Sequence, residues 1–71
     1  MTDDQIKNNF KYHAPNQDQE IRYGRLRNYA RELAEQINTL CPESREKSLA
    51  MTNLEQAVMW ANASIARNEK G

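Results

Sequence analysis

The sequence predicts an all-α fold: a short N-terminal helix followed by a long antiparallel two-helix hairpin. Apolar residues recur at spacings of three and four along two stretches, which is the period of a helix with one sticky side. The two prolines, Pro15 and Pro42, fall between these stretches and not inside them. Glycine is confined to Gly24 and Gly71, so little in the chain interrupts a helix.

Residues 1–16 form a polar lead-in with one short helix over Asp3–Asn9. Pro15-Asn16 reads as a turn, with Asn16 or Asp18 available to cap the next helix. Residues 17–40 are the first long helix. Leu26, Ala30, Leu33, Ile37 and Leu40 make a heptad seam along it, and Tyr23 extends the seam toward the N-terminus. Glu32, Glu35 and Gln36 lie off the seam and are expected in solvent. Pro42 ends this helix and suits the first turn of the next, with Cys41 or Ser44 as its cap. The connection Leu40–Ser44 is short, so the two helices fold back on each other.

Residues 44–68 are the second long helix, with Met51, Leu54, Val58, Ala61 and Ile65 as its seam. Ala50, Ala57 and Ser64 form a second row seven residues apart, and Met59 and Trp60 widen the apolar arc. One partner helix cannot cover so wide a surface, and the surplus fits contact with further copies. Asn68-Glu69-Lys70-Gly71 reads as a frayed tail. Residues 1–71 are expected to form a single helical hairpin domain.

A chain of 71 residues struggles to build an independent core and usually needs disulfides, a metal or oligomerisation. Cys41 is the lone cysteine and cannot pair within the chain. With His13 it makes only two soft ligands, too few for structural zinc. Oligomerisation is the remaining route. The lone thiol and the acidic, polar start Met1–Gln5, which lacks an apolar signal core, fit a cytoplasmic protein. No apolar run approaches the ~18 residues that span a membrane. Ten Lys and Arg balance ten Asp and Glu, which disfavours gripping long DNA or RNA but not a small phosphate ligand.

No catalytic set is visible. His13 has no serine or cysteine beside it, the carboxylates are scattered among basic residues, and there is no Gly-rich phosphate loop. A small phosphodiesterase is disfavoured for lack of a metal cluster or general-base pair. No cofactor is expected.

Binding features are richer. Phe10-Lys11-Tyr12-His13 places aromatics and cations on a non-helical segment, suited either to stacking a base beside a phosphate or to pinning the lead-in onto the hairpin. Arg22, Arg25, Arg27 and Arg31 flank the Leu26 seam, two on each side, either as phosphate ligands or as a solvated flank. Gly24 marks either a close approach by a neighbour or ligand, or a tolerated imperfection costing up to ~1 kcal/mol. Asn62 suits a base edge or, more simply, the surface, and Trp60 suits an interface.

Several motifs together resemble the phage anti-CBASS cyclic-oligonucleotide sponges, CBASS being a bacterial cyclic-nucleotide antiphage system. They are Phe10-x-Tyr12-His13-x-Pro15, Arg22-Tyr23, Arg27-x-x-Ala30-x-x-Leu33-Ala34, Cys41-Pro42-x-Ser44-Arg45-Glu46-x-Ser48-Leu49-Ala50 and Leu54-Glu55-x-Ala57-Val58-Met59-Trp60-Ala61-Asn62, followed by Ile65-Ala66-Arg67. The helical hairpin domain of these sponges is shared with one class of anti-Thoeris sponges. The resemblance runs from about residue 9 to 68. It implies a homohexamer that holds cyclic dinucleotides such as 3′,3′-cyclic GMP-AMP between protomers without cleaving them. Family members also bind cyclic trinucleotides where three protomers meet. By the family pattern Tyr12 stacks on a base and Arg27 meets a phosphate, with His13, Lys11 and Arg25 as neighbours. Gly24, Asn28 and Arg67 match the trinucleotide positions. The competing reading from the residues alone is a small helical adaptor that docks a protein through the Trp60 face.

Overall fold

A computed structural model describes residues 1–69. It contains three helices and, among the described residues, no strand: α1 (Asp3–Asn9), α2 (Gln17–Leu40) and α3 (Arg45–Asn68). Each begins on a capping residue of the expected chemistry. Thr2 opens α1 with a capping box: its hydroxyl accepts from the Gln5 N–H at 3.1 Å, and the Gln5 side chain accepts from the Thr2 N–H at 2.7 Å. Asp3 and Asp4 in the first turn and Lys7 in the last complement the helix dipole. Of the two predicted caps for α2, Asn16 serves, again in a capping box, with Gln19. Ser44 caps α3 by accepting from the Lys47 N–H at 3.1 Å. Pro42 therefore lies in the loop ahead of the cap and not in the first turn, where its carbonyl accepts the Ser44 hydroxyl.

α2 and α3 run antiparallel, and polar ties hold the hairpin at each end. At the turn, the buried Lys47 ammonium donates to the Asn38 carbonyl at 3.0 Å and meets Glu43 at 2.6 Å. α2 has no basic residue in its own last turn, so Lys47 supplies the cation its C-terminus lacks. At the open end, Glu69 accepts two bonds from Arg22, each 2.6 Å, and one from the buried Gln19 at 3.0 Å. The predicted frayed tail is thus corrected for Asn68 and Glu69: the first ends α3 and the second clamps α2. Lys70 and Gly71 lie outside the described residues.

The extents are 44 × 29 × 13 Å. A helix with its side chains is ~10–12 Å across, so the hairpin is one layer thick and nothing covers its faces. Among the described residues no apolar side chain is buried. The α3 seam is half-buried throughout, whereas Leu33 and Leu40 of the α2 seam stay 51% and 73% exposed. A heptad drifts ~20° per repeat around a straight helix, so part of a long seam turns away from a single partner. The accessible surface is 6038 Å². A compact monomer of 8.3 kDa exposes about 4,600 Å², which leaves a surplus of roughly 1,400 Å². No described helix is long and apolar enough to cross a membrane.

Candidate functional site

The four arginines divide as the helical period requires. Arg22 and Arg25 line one groove with Leu26, Tyr29 and Ile65. Arg27 and Arg31 line another, about 310 Å³, with Ala30, Ala34, Leu54, Glu55 and Val58. The candidate ligands Arg25 and Arg27 therefore face different grooves of one chain, and the structure does not bring them together.

Their availability also differs. Arg22 is committed to the Glu69 clamp and sits 3.0 Å from Asp18 through Nε, although that N–H is not aimed at a hydrogen-bond acceptor. The Arg22 bonds, followed by the Gln19 bond, lower the Glu69 pKa to about 2, and Glu69 in turn raises that of Arg22. Arg31 pairs with Glu35 at 3.1 Å in solvent. Arg25 and Arg27 are exposed and have no ion pair or hydrogen bond among the described residues. Sequence reasoning could not rank these four, because the partner that removes Arg22 lies 47 residues away.

Tyr12 is 82% exposed on the segment between α1 and α2, and Lys11 is exposed beside it. Tyr12 does not line the Arg27 groove. His13 is half-buried, and its Nε2–H donates to the Asn8 carbonyl at 2.8 Å. One face of its imidazole chemistry is thereby used inside the chain. Asn8 itself donates from Nδ2 to the Arg67 carbonyl at 2.9 Å, which ties the end of α1 to the end of α3. Sequence reading missed Asn8, since a contact spanning 59 residues leaves no local signature.

Gly24 has an ordinary helical backbone, and an added Cβ would sit 3.8 Å from Arg27 Nη2, a normal contact. Nothing among the described residues requires a glycine there. Asn28 lines a polar depression with Arg31, Glu32 and Glu35, all on α2. Arg67 is on α3 and does not join it, so one copy leaves the trinucleotide candidates apart. Asn62 is half-buried with an unpartnered, buried Oδ1, which corrects the surface reading of that residue.

The hairpin thus presents exposed aromatics and unpaired guanidiniums on two open faces, and its candidate groups lie apart within one copy. These are the features of a helical binding module. The sequence profile described as Acb2/Tad1, hairpin domain, matches residues 2–66, and the chain belongs to that family. The family consists of sponge-type anti-defence proteins, which bind signalling molecules and are not enzymes. No curated protein and no solved structure matches the chain.

Proposed function

We propose that copies of this chain assemble, as a hexamer in the family pattern, and sequester cyclic dinucleotides such as 3′,3′-cyclic GMP-AMP intact. In the cytoplasm of an infected bacterium this starves CBASS effectors of their signal. Tyr12 stacks on a base and Arg27 meets a phosphate, with Lys11, His13 and Arg25 close to the ligand. Gly24, Asn28 and Arg67 from different copies hold cyclic trinucleotides. The observation that carries this reading is the combination, among the described residues, of an Arg27 without an ion pair, an 82% exposed Tyr12 and no buried apolar side chain. Both are open to a ligand, which supports a site shared between copies. A cyclic dinucleotide is close to two-fold symmetric, so a pocket on a two-fold axis offers each half the same pair of residues.

Titration calorimetry with 3′,3′-cyclic GMP-AMP, with mass by light scattering on the same sample, tests the proposal. Tight binding at one ligand per two chains is expected, with unaltered nucleotide recovered after denaturation. Tyr12→Ala removes two stacks, one from each copy, each contributing ~1–3 kcal/mol, and weakens binding roughly 30-fold or more with the oligomer intact. Arg27→Ala weakens it through loss of a charge-assisted contact. Unchanged affinity in a folded Tyr12→Ala variant overturns the site. The paired exposure of Met59 and Trp60, each 65%, favours an adaptor as the second reading. No heat with either nucleotide class, together with capture of a protein through that face, would establish it.

A further inference from the structure

α1 buries no residue, yet it is capped at both ends: by the Thr2 box, and by the Phe10 N–H donating to the Ile6 carbonyl at 3.1 Å. Among the described residues, its hydrogen bond to the hairpin runs through Asn8. The Asn8 side chain holds α3 at the Arg67 carbonyl, and the Asn8 carbonyl receives His13, the residue next to Tyr12. The Tyr12 ring packs against little, at 82% exposure, so its position is set by its backbone. That backbone is held on its N-terminal side by the end of α1, where the Phe10 N–H bonds the Ile6 carbonyl, and on its C-terminal side by His13 and the Asn16 cap.

From this geometry we infer that Asn8 is a positioning residue: it tethers the Tyr12 segment to α3 and presents the phenol ring to ligand. α1 is the strut that aims it. His13 acts through the same tether, as donor to Asn8. The inference rests on the nucleotide-binding reading for its consequence, but the tether itself can be tested without ligand. Loss of one hydrogen bond shifts a docked–undocked balance about three- to tenfold, and apparent affinity falls with the docked fraction.

The test has a structural and a binding arm, both on the full chain. In Asn8→Ala, ¹⁵N order parameters of residues 10–15 fall from rigid values toward those of a flexible segment, below ~0.6, while α2 and α3 are unchanged. Alanine is the better helix former, so α1 is not weakened by the substitution. Affinity for 3′,3′-cyclic GMP-AMP drops up to about tenfold per Tyr12 engaged. The drop disappears when Asn8→Ala is made in a Tyr12→Ala background, because there is no ring left to position. His13→Ala, which cannot donate to the Asn8 carbonyl, lowers the order parameters of residues 10–15 as Asn8→Ala does, whereas in His13→Gln the carboxamide can donate and they stay high. Unchanged order parameters in Asn8→Ala overturn the tether. An equal loss of affinity with and without Tyr12 overturns the positioning role. A parent chain that binds no nucleotide, with order parameters falling as described, overturns the sponge reading and supports the tether.

Discussion

Leu33 is the position where assembly and hairpin stability separate most cleanly. It belongs to the α2 seam, yet 51% of its surface stays exposed in a groove with Leu26, Tyr29, Ala57 and Val58. Full burial of a leucine contributes about 1.5–3 kcal/mol, so the isolated hairpin realises about half and leaves about 1 kcal/mol for a neighbouring copy. A two-fold contact uses the position twice. Leu33→Ala therefore weakens a pairwise contact by about 2 kcal/mol, roughly thirtyfold in association constant. Leu33→Glu goes further, because that groove is lined by no charged residue that could receive the carboxylate. Glutamate is a good helix former and remains solvated in a lone hairpin, so the substitution acts on assembly before it acts on the helix. Light scattering over a dilution series and thermal melts read the outcome. The parent is expected at a multiple of 8.3 kDa with a melting temperature that rises with concentration. Leu33→Glu is expected at lower mass. A parent that runs as a stable monomer refutes the reasoning, as does a Leu33→Glu variant with parental mass and melting temperature.

Three further outcomes follow from the hairpin. The Arg22 bonds lower the Glu69 pKa from the ordinary 4.5 to about 2 in the folded chain, so its stabilisation is complete above about pH 4.5 and is lost as pH falls through about 2. Parent and Glu69→Gln melting temperatures should differ at neutral pH and converge over that window; a constant gap contradicts the clamp. Lys47→Met removes a charge-assisted bond to the Asn38 carbonyl, while its pair with the 88% exposed Glu43 contributes little. The expected loss is about 1–2 kcal/mol in urea unfolding, and a neutral result would show that solvent satisfies the carbonyl. Gly24→Ala should stabilise the unliganded protein by about 0.5–1 kcal/mol, since its Cβ meets only an ordinary contact, and should weaken cyclic trinucleotide binding. A variant altered in neither respect removes Gly24 from the site.

The features legible in the sequence are those decided locally. The start of α2 follows from Asn16 and Pro15, because a cap acts over three residues. The split of the arginines follows from the helical period alone. What was illegible depends on hairpin register. Glu69 looked like tail because its partner, Arg22, lies across the hairpin from it. The His13 bond was hidden because the Asn8 carbonyl it serves carries no side-chain signal. The exposure of Leu33 and Leu40 needed the structure, since a heptad pattern does not say how many helices will cover it.

The single-layer form also bears on the kind of assembly the proposed function needs. Two grooves open on opposite sides of the seam: the apolar one beside Tyr29 and Leu33, and the one that carries Arg27. They share Ala30, Leu54 and Val58, so both draw on the same two helices from different sides. A single two-fold contact covers one face and leaves the other open. Covering both requires a second, different contact, and two kinds of contact that close on themselves build a dihedral assembly larger than a dimer. The hexamer of the family pattern meets that requirement, and it gives the chemistry a division of labour. In the proposed assembly the apolar face would contribute association, and the Arg27 face would keep a cation in reach of ligand. A nucleotide that binds only across copies then stabilises the assembly by the same free energy with which the assembly binds it. A chain too small to fold a core of its own would thereby complete its core and its binding site in one step.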